Sequence, residues 1–145
     1  MLKKFFKNKD KDKENLEDKN VLIVALLIHA AKIDEKYTDA ERNIIKRAAI
    51  SLLSTKSDQV DEIIKKAEKK EEDSNQIVEF TKEIKKYPME FRLKIIEIVW
   101  KIVYSDGNSD NFESNLIRRI CGLLYVSDKD NGIIKLKIQN LFNKI

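Results

Sequence analysis

The fold is decided at residues 102–119, which read IVYSDGNSDNFESNLIRR. In this stretch an apolar helical pattern ends, a short polar turn follows, and a second helical pattern begins with a glutamate in its first turn. Residues 30–47, AAKIDEKYTDAERNIIKR, repeat the arrangement at an offset of 72 residues. The equivalent acidic residues are Asp34 with Asp106, and Glu41 with Glu113. The chain is therefore predicted to contain two pseudo-repeated helix-turn-helix halves.

Helical periodicity extends outward from both copies to most of the 145 residues. Gly and Pro are scarce, at three and one, and Lys, Glu, Ile and Leu dominate, which favours helices over strands. We expect an all-α fold, a compact bundle of about seven helices in which the charged end of the third helix frays. The predicted helices span residues 20–33, 38–53, 57–72, 74–86, 88–104, 111–124 and 128 towards the C-terminus.

The N-terminal residues differ in composition from the rest of the chain. Leu2, Phe5 and Phe6 stand among lysines in residues 1–7, and residues 8–19 are almost entirely polar or charged. We interpret residues 1–19 as a basic N-terminal segment and solvated polar linker, and residues 20–145 as the helical domain. The segment 1–7 is either a loosely packed terminus or a short amphipathic helix that contacts a membrane surface or a partner.

Charge and hydropathy exclude several classes of protein. The net charge is +4, but basic and acidic residues alternate along the helices, which is typical of solvated faces, and we predict no nucleic-acid partner. The longest apolar stretch, residues 21–33, is shorter than the roughly 20 residues that span a bilayer. A single cysteine, Cys121, forms no internal disulfide. These features predict a cytoplasmic protein.

The acidic residues of the two turns have two interpretations. Thr38 with Glu41, and Asp110 with Glu113, have the spacing of a capping box, in which the two side chains satisfy backbone N–H groups reciprocally. Asp34 and Asp106 end a helix, where the helix dipole disfavours negative charge. They therefore require an arginine partner, the N–H groups of the next helix, or a bound cation.

The second turn is richer in oxygen ligands than the first. Its candidate ligands, at positions 1, 3, 5 and 8, are Asp106, Asn108, Asp110 and Glu113. Oxygen-only ligands favour a divalent cation such as Ca²⁺ or Mg²⁺ over zinc. The turn is not an EF-hand, because Asn111 and Ile117 stand where that loop requires Gly and Glu. With Asp34 and Glu41, these residues form the predicted metal site.

No arrangement of residues predicts a conventional enzyme. The chain has no Ser/His/Asp or Cys/His grouping and no Gly-rich phosphate loop. His29, Trp100 and Tyr104 lie within apolar helical patterns, so we interpret them as core residues. A carboxylate-bound metal that activates water is an alternative, but no general base is evident beside the turn.

The chain resembles the TerB-like proteins associated with tellurite resistance. The resemblance covers about residues 20–140 and is most specific at residues 98–107, Glu113, 116–120 and 123–127. The first copy has Glu35 where the family has Gly. The resemblance implies a compact helical bundle of two pseudo-equivalent halves, an acidic surface proposed to handle metal ions, and no enzymatic activity. It also implies work with membrane-bound protein partners as an adaptor or sensor in stress resistance.

We therefore expect a non-enzymatic adaptor or metal-responsive module, cytoplasmic or membrane-associated, whose acidic turns form the functional patch. The alternative is a membrane-surface or protein-docking module that uses the Lys-rich N-terminus. A carboxylate-metal hydrolase is the third interpretation.

Overall fold

The structure is a computed structural model that describes residues 2–34, 37–74, 76–105 and 111–143, with only the backbone described for residues 2–16, 34, 111–114 and 143. Within these ranges it contains seven α-helices, two 3-10 turns and no strand, which confirms the all-α prediction. The helices are α1 (Leu2–Ala31), α2 (Asp39–Leu52), α3 (Ser57–Asp73), α4 (Ile77–Thr81), α5 (Met89–Ser105), α6 (Asn111–Leu123) and α7 (Asp128–Asn143). The 3-10 turns are Lys32–Asp34 and Ile84–Lys86.

The C-terminal half of α1 forms the centre of the bundle. Every side chain from Ile23 to Ile28 is buried, and a helix that is apolar all round must be covered on all sides. Helices α2, α3, α4 and α5 supply this cover. Helix α5 is the second central element and packs against α1, α2, α6 and α7.

The N-terminal segment differs from its prediction. Residues 8–19, which were interpreted as a solvated polar linker, are helical, because α1 continues through them without a break. Lysine and glutamate are good helix formers, and the covered helix that follows stabilises the turns before it. Glu17 forms an exposed ion pair with Lys66 of α3, and Asn20, the first residue of the predicted helical domain, is buried.

The predicted fourth helix is also interrupted. The structure has the short helix α4, then a turn, then the second 3-10 turn, where one helix over residues 74–86 was expected. The Thr81 hydroxyl donates to the carbonyl of Ile77 at 2.9 Å, a bond that bends helices. Pro88 disfavours helical geometry for Tyr87, which is extended at φ −76° and ψ 159°.

Arg92 joins the beginning of α5 to the end of α6. Its Nε donates to the carbonyl of Tyr87 at 3.0 Å, and its Nη1 donates to the carbonyl of Leu124 at 2.8 Å. Helix α6 ends in a Schellman motif, in which Tyr125 has a φ of 58° and the N–H of Val126 donates to the carbonyl of Cys121. The guanidinium thus satisfies a carbonyl that the end of the helix leaves open.

Among the described helices, none is long and apolar enough to cross a bilayer. The structural equivalence of the two halves stays a prediction, because the second acidic turn, residues 106–110, lies outside the described residues.

Candidate functional site

The first acidic turn ends in a complete capping box at the start of α2. The N–H of Glu41 donates to the Thr38 hydroxyl at 3.1 Å. In return, Oε1 of Glu41 accepts hydrogen bonds from the backbone N–H and the hydroxyl of Thr38, both at 2.9 Å. Only 1% of the Glu41 surface is exposed. The capping interpretation is therefore confirmed for Glu41, and its role as a cation ligand stays a prediction.

The other predicted metal ligands lie outside the described part of the chain. Asp106, Asn108 and Asp110 are in the undescribed turn, and only the backbone is described for Asp34 and Glu113. The 3-10 turn that contains Asp34 contacts α6, the helix that follows the second acidic turn. Among the described residues, no three His, Cys, Asp or Glu side chains form a group that could hold a metal ion.

We expect Thr38→Ala to lower the free energy of unfolding by about 0.5–2 kcal/mol, because it removes the hydroxyl that accepts from the Glu41 N–H and donates to Glu41 Oε1. Thermal and urea unfolding of the purified protein measure this loss. Thr55→Ala is the matched control, because Thr55 lies in the loop before α3 and caps no helix there. Equal losses in the two variants would contradict a stabilising capping box.

A buried charge cluster lies beside the first acidic turn. Glu71 of α3 is 4% exposed, and its Oε2 accepts a hydrogen bond from Lys32 Nζ at 2.8 Å. Its Oε1 lies 3.2 Å from Nδ1 of His29, whose ring stands at 6.1 Å from that of Phe80. Since Lys32 belongs to the 3-10 turn, the cluster fixes the start of the acidic turn to α1 and α3.

The sequence analysis missed Glu71, because the end of α3 was interpreted as a fraying charged tail. A signal was present in the spacing. Val60, Ile64 and Ala67 form the buried stripe of α3, and Glu71 occupies the next position of that stripe. A carboxylate at a core position requires charged or hydrogen-bonding partners: Lys32 provides the positive charge, and His29 provides a second polar contact.

A second set of polar side chains surrounds Tyr37, at the end of the first turn. Burial raises the pKa of Tyr37 to about 12, the nearby charge of Glu68 adds to the rise, and Arg42 opposes it. Nε of Arg42 lies 3.4 Å from Oε1 of Glu68, which connects α2 to α3. The hydroxyl of Tyr37 therefore stays protonated at neutral pH.

The residues interpreted as core residues are packed accordingly. Trp100 is 2% exposed and stacks on Tyr104 at 5.6 Å between ring centroids. His29 is hydrogen-bonded at the edge of the core. Burial, with a smaller contribution from Asp128, raises the pKa of Cys121 to about 12, so this thiol is a poor nucleophile.

Comparison with known proteins identifies the family. The family model described as tellurite resistance protein TerB matches residues 20–136, well over half of the chain. No curated protein and no solved structure matches the chain. The matched residues extend from the central part of α1 into α7 and include both acidic turns. The chain therefore belongs to the TerB family.

Proposed function

We propose that this chain is a non-enzymatic, cytoplasmic adaptor whose acidic turns bind a divalent cation, with Ca²⁺ or Mg²⁺ favoured. The contact between the first 3-10 turn and α6 carries the proposal. This contact places α6, which follows the second acidic turn, against the 3-10 turn that contains Asp34. Family membership supports the same function, because TerB domains are generally non-enzymatic helical modules.

The second turn is the principal ligand set in this proposal. Asp106, Asn108 and Asp110 stand at every second position, and Glu113 follows three residues later. These side chains offer the oxygen ligands that Ca²⁺ takes. Glu41 is less available as a cation ligand, because its Oε1 already accepts two hydrogen bonds from Thr38. We therefore assign Glu41 a secondary role and expect Asp34 to contribute from the first turn.

Cation binding at this place would act on the ends of several helices. The second turn joins α5 to α6, and the first joins α1 to α2 through the turn that Lys32 ties to Glu71. A cation that neutralises the turn carboxylates removes their repulsion and stabilises the folded state. An adaptor of this kind would present a different surface to a protein partner with and without the cation, including a membrane-bound partner in stress or tellurite resistance.

The test is thermal unfolding of the chelator-treated protein with and without millimolar Ca²⁺, Mg²⁺, Mn²⁺ or Zn²⁺. We expect a rise of several degrees with Ca²⁺ or Mg²⁺, because a ligand at 100 times its Kd adds about 2.7 kcal/mol of stability. Asp106→Asn should abolish the rise. Glu62→Gln, which removes an exposed carboxylate from α3, should retain it.

No shift with any cation in the unmodified protein would contradict the proposal. An equal shift in the Asp106→Asn variant would place the cation elsewhere. Hydrolysis of a phosphate ester that depends on the cation and on Asp106 would favour the hydrolase alternative over the adaptor.

The continuity of α1 favours a second candidate function, contact with an anionic membrane surface. Because α1 begins at Leu2, the basic N-terminal segment is a helix joined directly to the central helix of the bundle. Leu2, Phe5 and Phe6 have the spacing of one helix face. We expect sedimentation with phosphatidylserine vesicles that is lost when these three residues are replaced by serine. Binding that survives the triple replacement, or that is equal on neutral vesicles, would contradict this function.

A further inference from the structure

A groove of about 700 Å³ lies between α2 and α5, on surfaces that the acidic turns do not use. Its floor is apolar and is formed by Ile44, Ala48, Leu52, Phe91 and Ile98. The first three repeat every fourth residue along α2, so they form one stripe of that helix. The volume is within the range of roughly 300–1,000 Å³ that binding pockets occupy.

The rim of the groove carries an excess of positive charge. Arg47, Lys94 and Lys101 line it, and Lys137 stands close by, 3.3 Å from Glu97. Glu97, one of the two lining carboxylates, is thus neutralised by Lys137 and by Lys101, at 3.8 Å. Among the described side chains, neither Arg47 nor Lys94 forms an ion pair. These two exposed cations lie on either side of the apolar floor, with no ion-pair partner among the described side chains.

The walls of the groove determine which occupant fits. Both walls are helices, whose backbone groups bond internally, so the groove offers no strand edge to an extended peptide. Side chains of a third helix can pack between two such helices. The lining runs from Pro88, directly before α5, to Lys101, which is roughly 20 Å at 1.5 Å per residue and matches a helix of about 14 residues. The apolar floor requires an apolar face on that helix.

We propose that the groove between α2 and α5 docks an acidic amphipathic helix of a protein partner. The apolar face of the partner covers the floor, and its carboxylates pair with Arg47 and Lys94. The carboxylate of Glu90 on the rim disfavours a continuous polyanion such as a nucleic acid. This inference names the partner class of the proposed adaptor and rests on that function, but the groove itself needs no cation.

The test is fluorescence anisotropy of the full-length protein in chelator, so that the cation proposal cannot affect the outcome. The probe is a labelled peptide of about 14 residues with leucine at every third or fourth position and glutamate on the flanks. The comparison peptide has lysine in place of each glutamate. We expect the acidic peptide to bind at least about tenfold more tightly, a difference of about 1.4 kcal/mol, and to lose affinity in high salt.

Three variants locate the binding. The double variant Arg47→Glu with Lys94→Glu should weaken the acidic peptide at least about tenfold and strengthen the basic one, since it reverses the rim charge. Ala48→Glu places a charge on the floor and should weaken both peptides. The matched control is Lys69→Glu with Lys85→Glu, two exposed lysines outside the groove, which should leave the affinity unchanged. Far-UV circular dichroism verifies that each variant folds.

Several results would overturn the proposal. These are no binding of the acidic peptide, equal binding of both peptides, binding that Ala48→Glu leaves intact, and an equal loss in the control pair. A labelled single-stranded oligonucleotide that binds more tightly than the acidic peptide, and that depends on Arg47 and Lys94, would assign the groove to a polyanion. The result of the cation experiment is independent of these peptide results, because that experiment tests cation binding at the acidic turns.

Discussion

Trp100→Ala is expected to lower the free energy of unfolding by about 3–5 kcal/mol, the range for removal of a buried tryptophan. The indole is 2% exposed, and its N–H donates to Oδ1 of Asn131 at 2.9 Å. Nζ of Lys135 lies 5.3 Å from the ring centroid, so one side chain of α5 holds two positions of α7. Its removal leaves a cavity and an amide oxygen without a donor.

Urea unfolding monitored by far-UV circular dichroism measures this effect, since the variant lacks the only tryptophan. Trp100→Phe keeps most of the apolar volume and should lose less than the alanine variant. Leu136→Ala, at a position of α7 that is 59% exposed, is the control and should change stability by no more than about 0.5 kcal/mol. A loss for Trp100→Ala as small as that of the control would contradict the assigned role of the indole in holding α7.

Lys32→Met should lower the free energy of unfolding by about 2–3 kcal/mol, because it removes the lysine that pairs with the buried carboxylate of Glu71 and leaves only the contact with His29. The lysine side chain is 31% exposed and the carboxylate 6%, so the cost arises mainly from Glu71. Glu71→Met should cost less, since it replaces the buried charge by an apolar chain of similar volume. The double variant should resemble Glu71→Met alone.

The matched control for Lys32→Met is Lys46→Met. Lys46 pairs with Asp61 at 3.2 Å, but both side chains are at least one-third exposed, so this pair should contribute no more than about 1 kcal/mol. Chemical unfolding of the unmodified protein, Lys32→Met, Glu71→Met and the double variant completes a double-mutant cycle for Lys32 and Glu71. Equal losses for Lys32→Met and Lys46→Met would contradict this prediction. They would show that the ion pair with the buried carboxylate of Glu71 contributes no more stability than the exposed pair of Lys46 with Asp61.

The helices could be predicted from the sequence wherever apolar periodicity and local end signals agree. For α2, Thr38 and Glu41 mark the beginning, and the structure has the complete capping box there. For α5, Pro88 marks the first turn, and the helix begins at Met89. Such signals act within a few residues of one another, so they need no knowledge of the tertiary structure.

Sequence reasoning did not reach features that depend on partners distant in the chain. Residues 8–19 are polar enough to be interpreted as a linker, but they continue a helix that the core anchors at its other end. The charged end of α3 was expected to fray, but Glu71 is fixed there by residues 39 and 42 positions away in the chain. The partners of Glu71 cannot be identified from the local pattern of residues along α3.

By itself, the sequence determined the all-α class, the TerB family, the helix that begins at the Thr38 cap, and the acidic residues of both turns, because each depends on residue types at short and fixed spacing. Only the tertiary structure decided the central position of α1, the cluster of Glu71 with His29 and Lys32, and the groove between α2 and α5. These features depend on which side chains from distant segments meet, and that is set by how the apolar faces of seven helices cover one another.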